Sequence, residues 1–511
     1  MSMPAEVSPL EAPAPPPAAR ANPLTEPILL PLLLLFTTRA LFWINNPYAG
    51  EDAYITFRYS RNLVRGLGPV YNAGERVQGF TSPVWMAWNA LGIALFKDPV
   101  FWSRLTTVAL EAAALVVVVR MLRRHAGTMA AWAFAIFYSS WTFFAATAVS
   151  GLESSALFAT LALAAWSIER RNKASGPLLG LVALFRPEGV VLSLVAALWT
   201  RGRDRVVAAG IALVGYGAIW AYYGSPVPQS LRAKAVVYGT PGIWSGRHWW
   251  EWISPLPFGR WPVTTEGSVL FAMALICAPA LVAGILALAR NREARGLAAL
   301  GFSTLAVWIG YSLVGVAYFA WYMVLPLGAL ATFASVGLPR VTRGPWVALS
   351  IGLFVLGTWT FMPTLYYIRA RAEYSSFAVV ARELMFNSKP GQSVFLEPIG
   401  MVGWANNLRI IDEIGLVSPQ VAARRKQGDG WMTDVIRSER PDWLVMRRAI
   451  AEGANGGASF AGVGRPFRSD AERAATLAPY RRLATVNEQA GPDAMEILGL
   501  NLPDAPGKPG S

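Results

Sequence analysis

The chain is poor in the residues from which most metal and redox chemistry is built. Cys277 is the single cysteine in 511 residues, so no intrachain disulfide can form. The two histidines, His125 and His248, are too few for a histidine-rich zinc site, and there is no Cys/His ligand cluster. Charge is also scarce. Asp, Glu, Lys and Arg make up 15% of the chain, against roughly a quarter in soluble domains, which excludes a disordered or polyelectrolyte protein. Walker loops, a G-x-G-x-x-G turn between strand and helix, and the G-x-S-x-G elbow are all missing, so a nucleotide-sugar donor has no recognisable phosphate loop to hold it. No internal repeat is visible.

What is present is apolar. Hydrophobic residues make up 54%, and before about Met362 they fall into blocks close to the ~20 residues that cross a hydrocarbon core. The expected fold is therefore an all-α polytopic membrane protein. Basic residues exceed acidic ones by 45 − 31 = +14, but they do not form one nucleic-acid-binding patch. They sit in short clusters between apolar blocks, at Arg120 to Arg124, Arg170 to Lys173, Arg201 to Arg205, Arg290 to Arg295, and Arg340 with Arg343. By the positive-inside rule these clusters mark the cytoplasmic face.

The spacing of the clusters sets the topology. Residues 1–27, rich in proline, read as a disordered cytoplasmic tail, and the first span runs from Ile28 to Trp43. Parity leaves one crossing before Arg120, Phe101 to Val119, with Glu111 as an intramembrane acid that is protonated or paired. Val84 to Phe96 is too short to cross and is expected to lie on the outer surface as an amphipathic helix. Only 27 residues separate Lys173 from Arg201, which suits two half-helices meeting at Arg186, Pro187, Glu188 and Gly189. A broken backbone with ionised groups at membrane depth is tolerated only beside protein or a water-filled cavity. The count reaches eleven crossings, the last from Trp346 to Phe361. The membrane region is thus 28–362, with a first outer loop over 45–100. Residues 363–502, which alternate short apolar runs with Gly, Pro and charge, read as a small extracytoplasmic α/β domain. Residues 503–511 read as a disordered tail.

Chemistry concentrates in the first outer loop. Glu51 and Asp52 follow a Pro47 to Gly50 turn just beyond the first span, where neighbouring carboxylates can take a proton or hold a divalent cation, Mg²⁺ or Ca²⁺. The alternative for Asp52 is a helix N-cap. On the same outer side, parity places Glu153, Arg186, Glu188, Arg232 and Lys234. Each has a structural alternative: Arg186 can simply pair with Glu188 or Glu153, Arg232 and Lys234 can face lipid headgroups, and Glu153 can cap the next helix. His248, in a Trp-rich stretch, suits an interfacial aromatic belt, and His125 a cytoplasmic surface.

The loop sequence EDAYITFRYSRNLVRGLGPVYNAGERVQGFTSPVW resembles the first-loop signature of bacterial GT-C glycosyltransferases, in particular the mycobacterial-type terminal arabinofuranosyltransferase subgroup. In that subgroup an Asp-Asp pair opens the motif; here Glu51 replaces the first Asp. The resemblance continues in SGLES (Ser150 to Ser154), RPEG (Arg186 to Gly189), GSPVPQSLRAKA (Gly224 to Ala235) and DEIGLVSPQVA (Asp412 to Ala422), in the same order.

The resemblance implies transfer of a sugar, arabinofuranose or another pentose or hexose, from a polyprenyl-phosphate donor to a hydroxyl of a cell-envelope glycan, lipid or protein. The protein would be multi-pass in the cell membrane, with its site on the extracytoplasmic side. Asp52 is then the expected base and Glu51 a second acid or metal contact. Arg186, Arg232, Lys234 and Arg58 are candidates for the donor phosphate, and Glu153, Glu188 and Tyr54 for substrate contacts or support. Within the C-terminal domain, Asp412, Glu413, Arg424, Arg425 and Lys426 either recognise acceptor or form solvated surface; the surface reading is preferred. A transporter or flippase of lipid-linked glycans is the rival reading, because broken helices and intramembrane charges serve transport as well. Against it, the acids gather in one outer loop and no pseudo-symmetric halves are visible.

Overall fold

The computed structural model describes residues 28–239, 265–314, 316–317, 319–342, 346, 373–453 and 464–500. Both terminal tails, His248 with its Trp-rich stretch, and the expected last span Trp346 to Phe361, whose first residue alone is described, lie outside these residues.

The membrane region opens with α1 (Leu29–Asn45), α2 (Glu51–Val64), α3 (Pro83–Phe96) and α4 (Pro99–Ala126). Local chemistry sets two of these starts. Ser82 accepts the Trp85 N–H ahead of Pro83, and Asp98 accepts the Val100 and Phe101 N–H groups ahead of Pro99. In each case an N-cap side chain precedes a proline at the first helical position, where no backbone donor is needed. α4 carries Glu111 fully buried, and Arg39 of α1 answers it at 2.9 Å. Arg39 also donates to the Ser139 and Tyr138 carbonyls, which ties α1, α4 and α5 (Thr128–Ser140) together. Glu111 is a paired packing residue.

After α5 the chain bends by 56° at Trp141 into α6 (Thr142–Ala148). Then come α7 (Ser154–Glu169), α8 (Ser175–Phe185) and α9 (Pro187–Ala196). The expected break at Arg186 is present: its backbone is extended (φ −158°, ψ 160°) between two short helices. Pro187 cannot donate to the preceding turn. Gly189 lies so close to α8 that a Cβ there would collide with the Val182 carbonyl oxygen, so the chain can fold back on itself only with glycine at this point. The region continues through α10 (Gly202–Tyr223), α11 (Gln229–Tyr238), α12 (Thr265–Arg290), α13 (Arg295–Val314) and α14 (Val324–Val341).

Among the described residues, four helices are long and apolar enough to cross a membrane, or five if the bent α5–α6 pair is one span. α1, α7, α8 and α9 are apolar too, but short or broken. One expectation needs correction: α3 is not amphipathic. It buries Trp85, Met86 and Asn89, yet exposes Leu91, Leu95 and Phe96, so it is apolar on both sides.

The C-terminal region begins, within the described residues, with α15 over 373–387 and builds a five-stranded mixed sheet in the order β2-β1-β3-β5-β4. The strands are β1 (Ser393–Leu396), β2 (Arg409–Asp412), β3 (Trp443–Arg447), β4 (Tyr480–Val486) and β5 (Met495–Leu500). β1 pairs in parallel with β2 and β3, while β5 is antiparallel to β3 and β4. Helices α16 (Gly400–Ala405), α17 (Pro419–Lys426) and α18 (Trp431–Glu439) complete an α/β fold around Phe395, Ile411 and Leu444.

Candidate active site

The loop over 45–100 is held in place from both sides. Arg104 of α4 donates to the Tyr48 and Val149 carbonyls at 2.7 Å each, and the Gly50 N–H donates to Ser150 O at 2.7 Å. The turn ahead of α2 is thereby stitched to the Ser150 to Glu153 turn. Gly151 in that turn has φ +82°, and a Cβ on it would press on Phe57, Ala49 and Ala53. Gly50 is the N-cap of α2, which leaves Asp52 inside the first turn and not in the capping position.

Asp52 faces a cleft of about 430 Å³ that Thr56, Thr81, Glu153, Arg186, Ser230, Lys234 and Tyr322 also line. Lys234 Nζ lies 3.7 Å from Asp52 Oδ2, and 4.3 Å from the ring centre of Phe319, with Trp321 on another side. Arg186 is buried and bracketed by two acids: it pairs with Glu153 through Nη1 and with Glu188 through Nε at 2.5 Å. Its guanidinium lies over the Tyr322 ring at 4.7 Å, and Tyr311 donates to Glu188 at 2.7 Å. The pairing alternative for Arg186 therefore holds, and the pairing takes place in the wall of the cleft.

A second chamber of about 730 Å³ shares Asp52, Ile55, Lys234 and Leu416 with the first. Tyr238, Phe319, Tyr374 and Phe377 supply its aromatic lining. Its floor is the carboxyl edge of the parallel strands: Glu397 follows β1, Asp412 ends β2 and Arg447 ends β3. Strand order reverses at β1, which is where open α/β sheets form their ligand crevice.

Several candidates lie elsewhere. Arg58 is buried away from both chambers, donating to the carbonyls of Tyr71 and Gly403 at 2.8 Å each and of Leu408 at 2.7 Å. It fastens the first loop to the C-terminal domain and has no face left for a phosphate. Arg232 is exposed and donates to Ser225 Oγ at 2.7 Å, outside the cleft. Tyr54 is buried, and its hydroxyl accepts the Ala49 N–H, so it supports the turn. Glu51 lines the second chamber and not the first, and its carboxyl accepts the Gly400 and Met401 N–H groups at the start of α16. Burial pushes its pKa up to about 8, against those two donors and with the charge of Asp52 adding to the rise.

A divalent ion shared by Glu51 and Asp52 does not fit. The Glu51 oxygens are committed to backbone donors, Lys234 already sits beside Asp52, and no group of three metal-ligating side chains occurs among the described residues.

The surface reading of the C-terminal charges holds for two residues and fails for three. Asp412, Glu413 and Arg425 are buried, while Arg424 and Lys426 are exposed. Asp412 accepts the Ile414 and Val417 N–H groups and so shapes the turn that brings Leu416 into both chambers. Burial raises its pKa to about 6 despite those donors. Glu413 rises to about 7 by burial, against the Arg425 guanidinium at 3.1 Å.

Sequence reasoning missed Ser230, Trp321, Tyr322 and Tyr311. Ser230 was within reach, one helical turn before Lys234 in the GSPVPQSLRAKA block; the aromatic residues lie in an apolar run with no charge to mark them.

The comparisons agree with this architecture. A family model described as a domain of unknown function (DUF8728) matches residues 366–497. The terminal beta-(1->2)-arabinofuranosyltransferase of Mycobacterium tuberculosis is 31% identical over 222 residues, covering 37% of this chain and 35% of the relative. Its namesake from Corynebacterium glutamicum is 29% identical over 268 residues, covering 43% and 38%. The match thus spans little more than a third of either relative. In structure, ArnT from Cupriavidus metallidurans bound to undecaprenyl phosphate aligns with a TM-score of 0.60 at 13% identity, over 94% of this chain and 99% of that one. The oligosaccharyltransferase of Archaeoglobus fulgidus aligns at 0.51 and 12% identity, over 83% and 69%. The chain has the fold of the GT-C glycosyltransferases, and its resemblance to the arabinofuranosyltransferase subgroup is borne out.

Proposed function

We propose that the protein is a membrane glycosyltransferase of the GT-C type that moves a sugar from a polyprenyl monophosphate to a hydroxyl of a cell-envelope glycan, lipid or protein on the extracytoplasmic side. The observation that carries this reading is the convergence of Asp52, Lys234 and the Glu153–Arg186–Glu188 cluster on one cleft, from four segments far apart in the chain. The likeness in fold to an enzyme solved with undecaprenyl phosphate supports it, as does the likeness in sequence to arabinofuranosyltransferases.

In this reading Asp52 accepts the acceptor hydroxyl's proton as that oxygen attacks the anomeric carbon. The bond from the anomeric carbon to the phosphate oxygen breaks, its electron pair leaves with the polyprenyl phosphate, and in-line displacement inverts the anomeric centre. Lys234 then meets the charge developing on the phosphate, and Arg186, held between its two acids, lends a fixed dipole in the cleft wall. The second chamber, with aromatic faces and polar groups at a sheet's carboxyl edge, suits a polyhydroxylated acceptor that presents its hydroxyl to Asp52.

Asp52→Asn is the direct test. The variant should insert and fold as wild type and lose sugar transfer from a polyprenyl-phosphate sugar in proteoliposomes. Undiminished turnover would remove Asp52 from the mechanism, and lipid translocation without transfer would favour a transporter.

A further inference from the structure

The cleft poses an electrostatic problem for a phosphate. Its cations are already engaged, Lys234 by Asp52 and Arg186 by Glu153 and by Glu188 behind it, so the lining carries two positive and two negative groups and no surplus of positive charge. An incoming phosphate therefore needs donors that bring no countercharge with them.

Ser230 is such a donor. It is 2% exposed, lines the cleft, and its Oγ has no hydrogen-bond partner among the described residues. A buried hydroxyl left unpaired is uncommon and costs free energy unless something completes it. Ser230 also sits in the first turn of α11, a helix of 10 residues. In that turn the Leu231 and Arg232 N–H groups already donate to Pro228 O, so what the turn adds to the Ser230 hydroxyl is the positive end of the helix. The neighbouring Gln229 N–H is taken up by Gln78 O at 2.9 Å, which anchors the turn to the first outer loop. Lys234, four residues on, lies on the same helical face and lines the same cleft.

We infer that the N-terminal turn of α11 is the phosphate subsite of this cleft: the Ser230 hydroxyl donates to a phosphate oxygen of the lipid carrier, with Lys234 supplying the mobile charge. This rests on the function proposed above and adds to it the atom that completes phosphate binding. Arg232, on the same helix, plays no part.

The test uses the full-length protein in nanodiscs with three probes: undecaprenyl phosphate, the neutral alcohol undecaprenol, and inorganic phosphate. Ser230→Ala removes an unsatisfied polar atom, so without ligand it should melt at or above the wild-type temperature. It should bind undecaprenyl phosphate about tenfold or more weakly, the usual worth of a hydrogen bond to a charged group. Ser230→Thr, which keeps the hydroxyl, should stay within a few-fold of wild type, and undecaprenol should bind both variants and wild type alike.

Equal affinity of wild type and Ser230→Ala for undecaprenyl phosphate, in a protein that transfers sugar, overturns the assignment and leaves the proposed function standing. An effect on inorganic phosphate alone overturns the lipid carrier as the source of the phosphate. If wild type binds no undecaprenyl phosphate at all, the donor class fails, and this inference fails with it.

Discussion

Lys234 combines two interactions that one substitution separates. Its ammonium is 3.7 Å from Asp52 and lies over the Phe319 ring, while its stem lies in the cleft wall. Lys234→Met keeps the length and apolar packing of the stem and removes the charge. Thermal unfolding should therefore shift little, because a partly exposed ion pair is worth under about 1 kcal/mol. Sugar transfer should fall by about 100-fold or more, the usual cost of losing a donor aimed at developing charge. A fall in transfer that merely tracks a fall in melting temperature would make Lys234 a packing residue. Asp52, Arg186 and Lys234 were readable from sequence because charge beside an apolar span has few other uses. The role of Arg58 was not: its partners, Gly403 and Leu408, lie some 345 and 350 positions away, and residue type alone does not say whether a guanidinium meets phosphate or carbonyl oxygen.

At the scale of elements, the contact between α2 and α16 is the one that pH should loosen. The pKa of Glu51 is raised from 4.5 to about 8, mainly by burial. The folded state therefore holds a proton that the unfolded state gives up. The associated stability is fully present below about pH 4.5, declines as pH rises, and is gone above about 8. Asp412 and Glu413, raised to about 6 and about 7, act in the same direction over lower windows. Glu51 is thus the last of the three to titrate. Glu51→Gln should remove the fall in melting temperature between about pH 7 and 8, where Glu51 acts alone of the three, and reduce the fall at lower pH, where Asp412 and Glu413 still contribute, as read by thermal unfolding across that range. An unchanged slope above pH 7 would mean that the Glu51 carboxyl is already ionised there. Helix existence was largely legible here: the caps at Ser82 and Asp98 and the break at Arg186 all follow from local rules. The bend at Trp141 was not, since it falls inside an uncharged apolar block where neither charge spacing nor a proline marks a break.

For the molecule as a whole, the second chamber exists only while the C-terminal domain stays docked on the first loop, and a shared apolar cluster, Phe57, Tyr59 and Phe80 with Leu396, Val402 and Val417 among it, does that docking together with buried polar contacts. Asn72 imitates a neighbouring strand along the open edge of β2: its side-chain amide donates to Ile410 O and its Oδ1 accepts the Ile410 N–H, at 2.9 Å each. An otherwise unpaired sheet edge is thereby closed. Arg58 satisfies three carbonyls at once, two of them from the C-terminal domain. The Glu75–Arg409 pair at 2.7 Å is partly exposed and contributes little. Arg58→Met keeps the side-chain volume but strands those carbonyls at about 1–3 kcal/mol apiece, whereas Glu75→Gln should cost under about 1 kcal/mol. Arg58→Met should therefore expose residues 373–500 to limited proteolysis and lower transfer, with membrane insertion unchanged, and Glu75→Gln should do neither. If Arg58→Met sheds the domain to protease yet transfers sugar at the wild-type rate, the carboxyl edge of the sheet is no part of the acceptor path, and the catalytic unit is the membrane cleft alone.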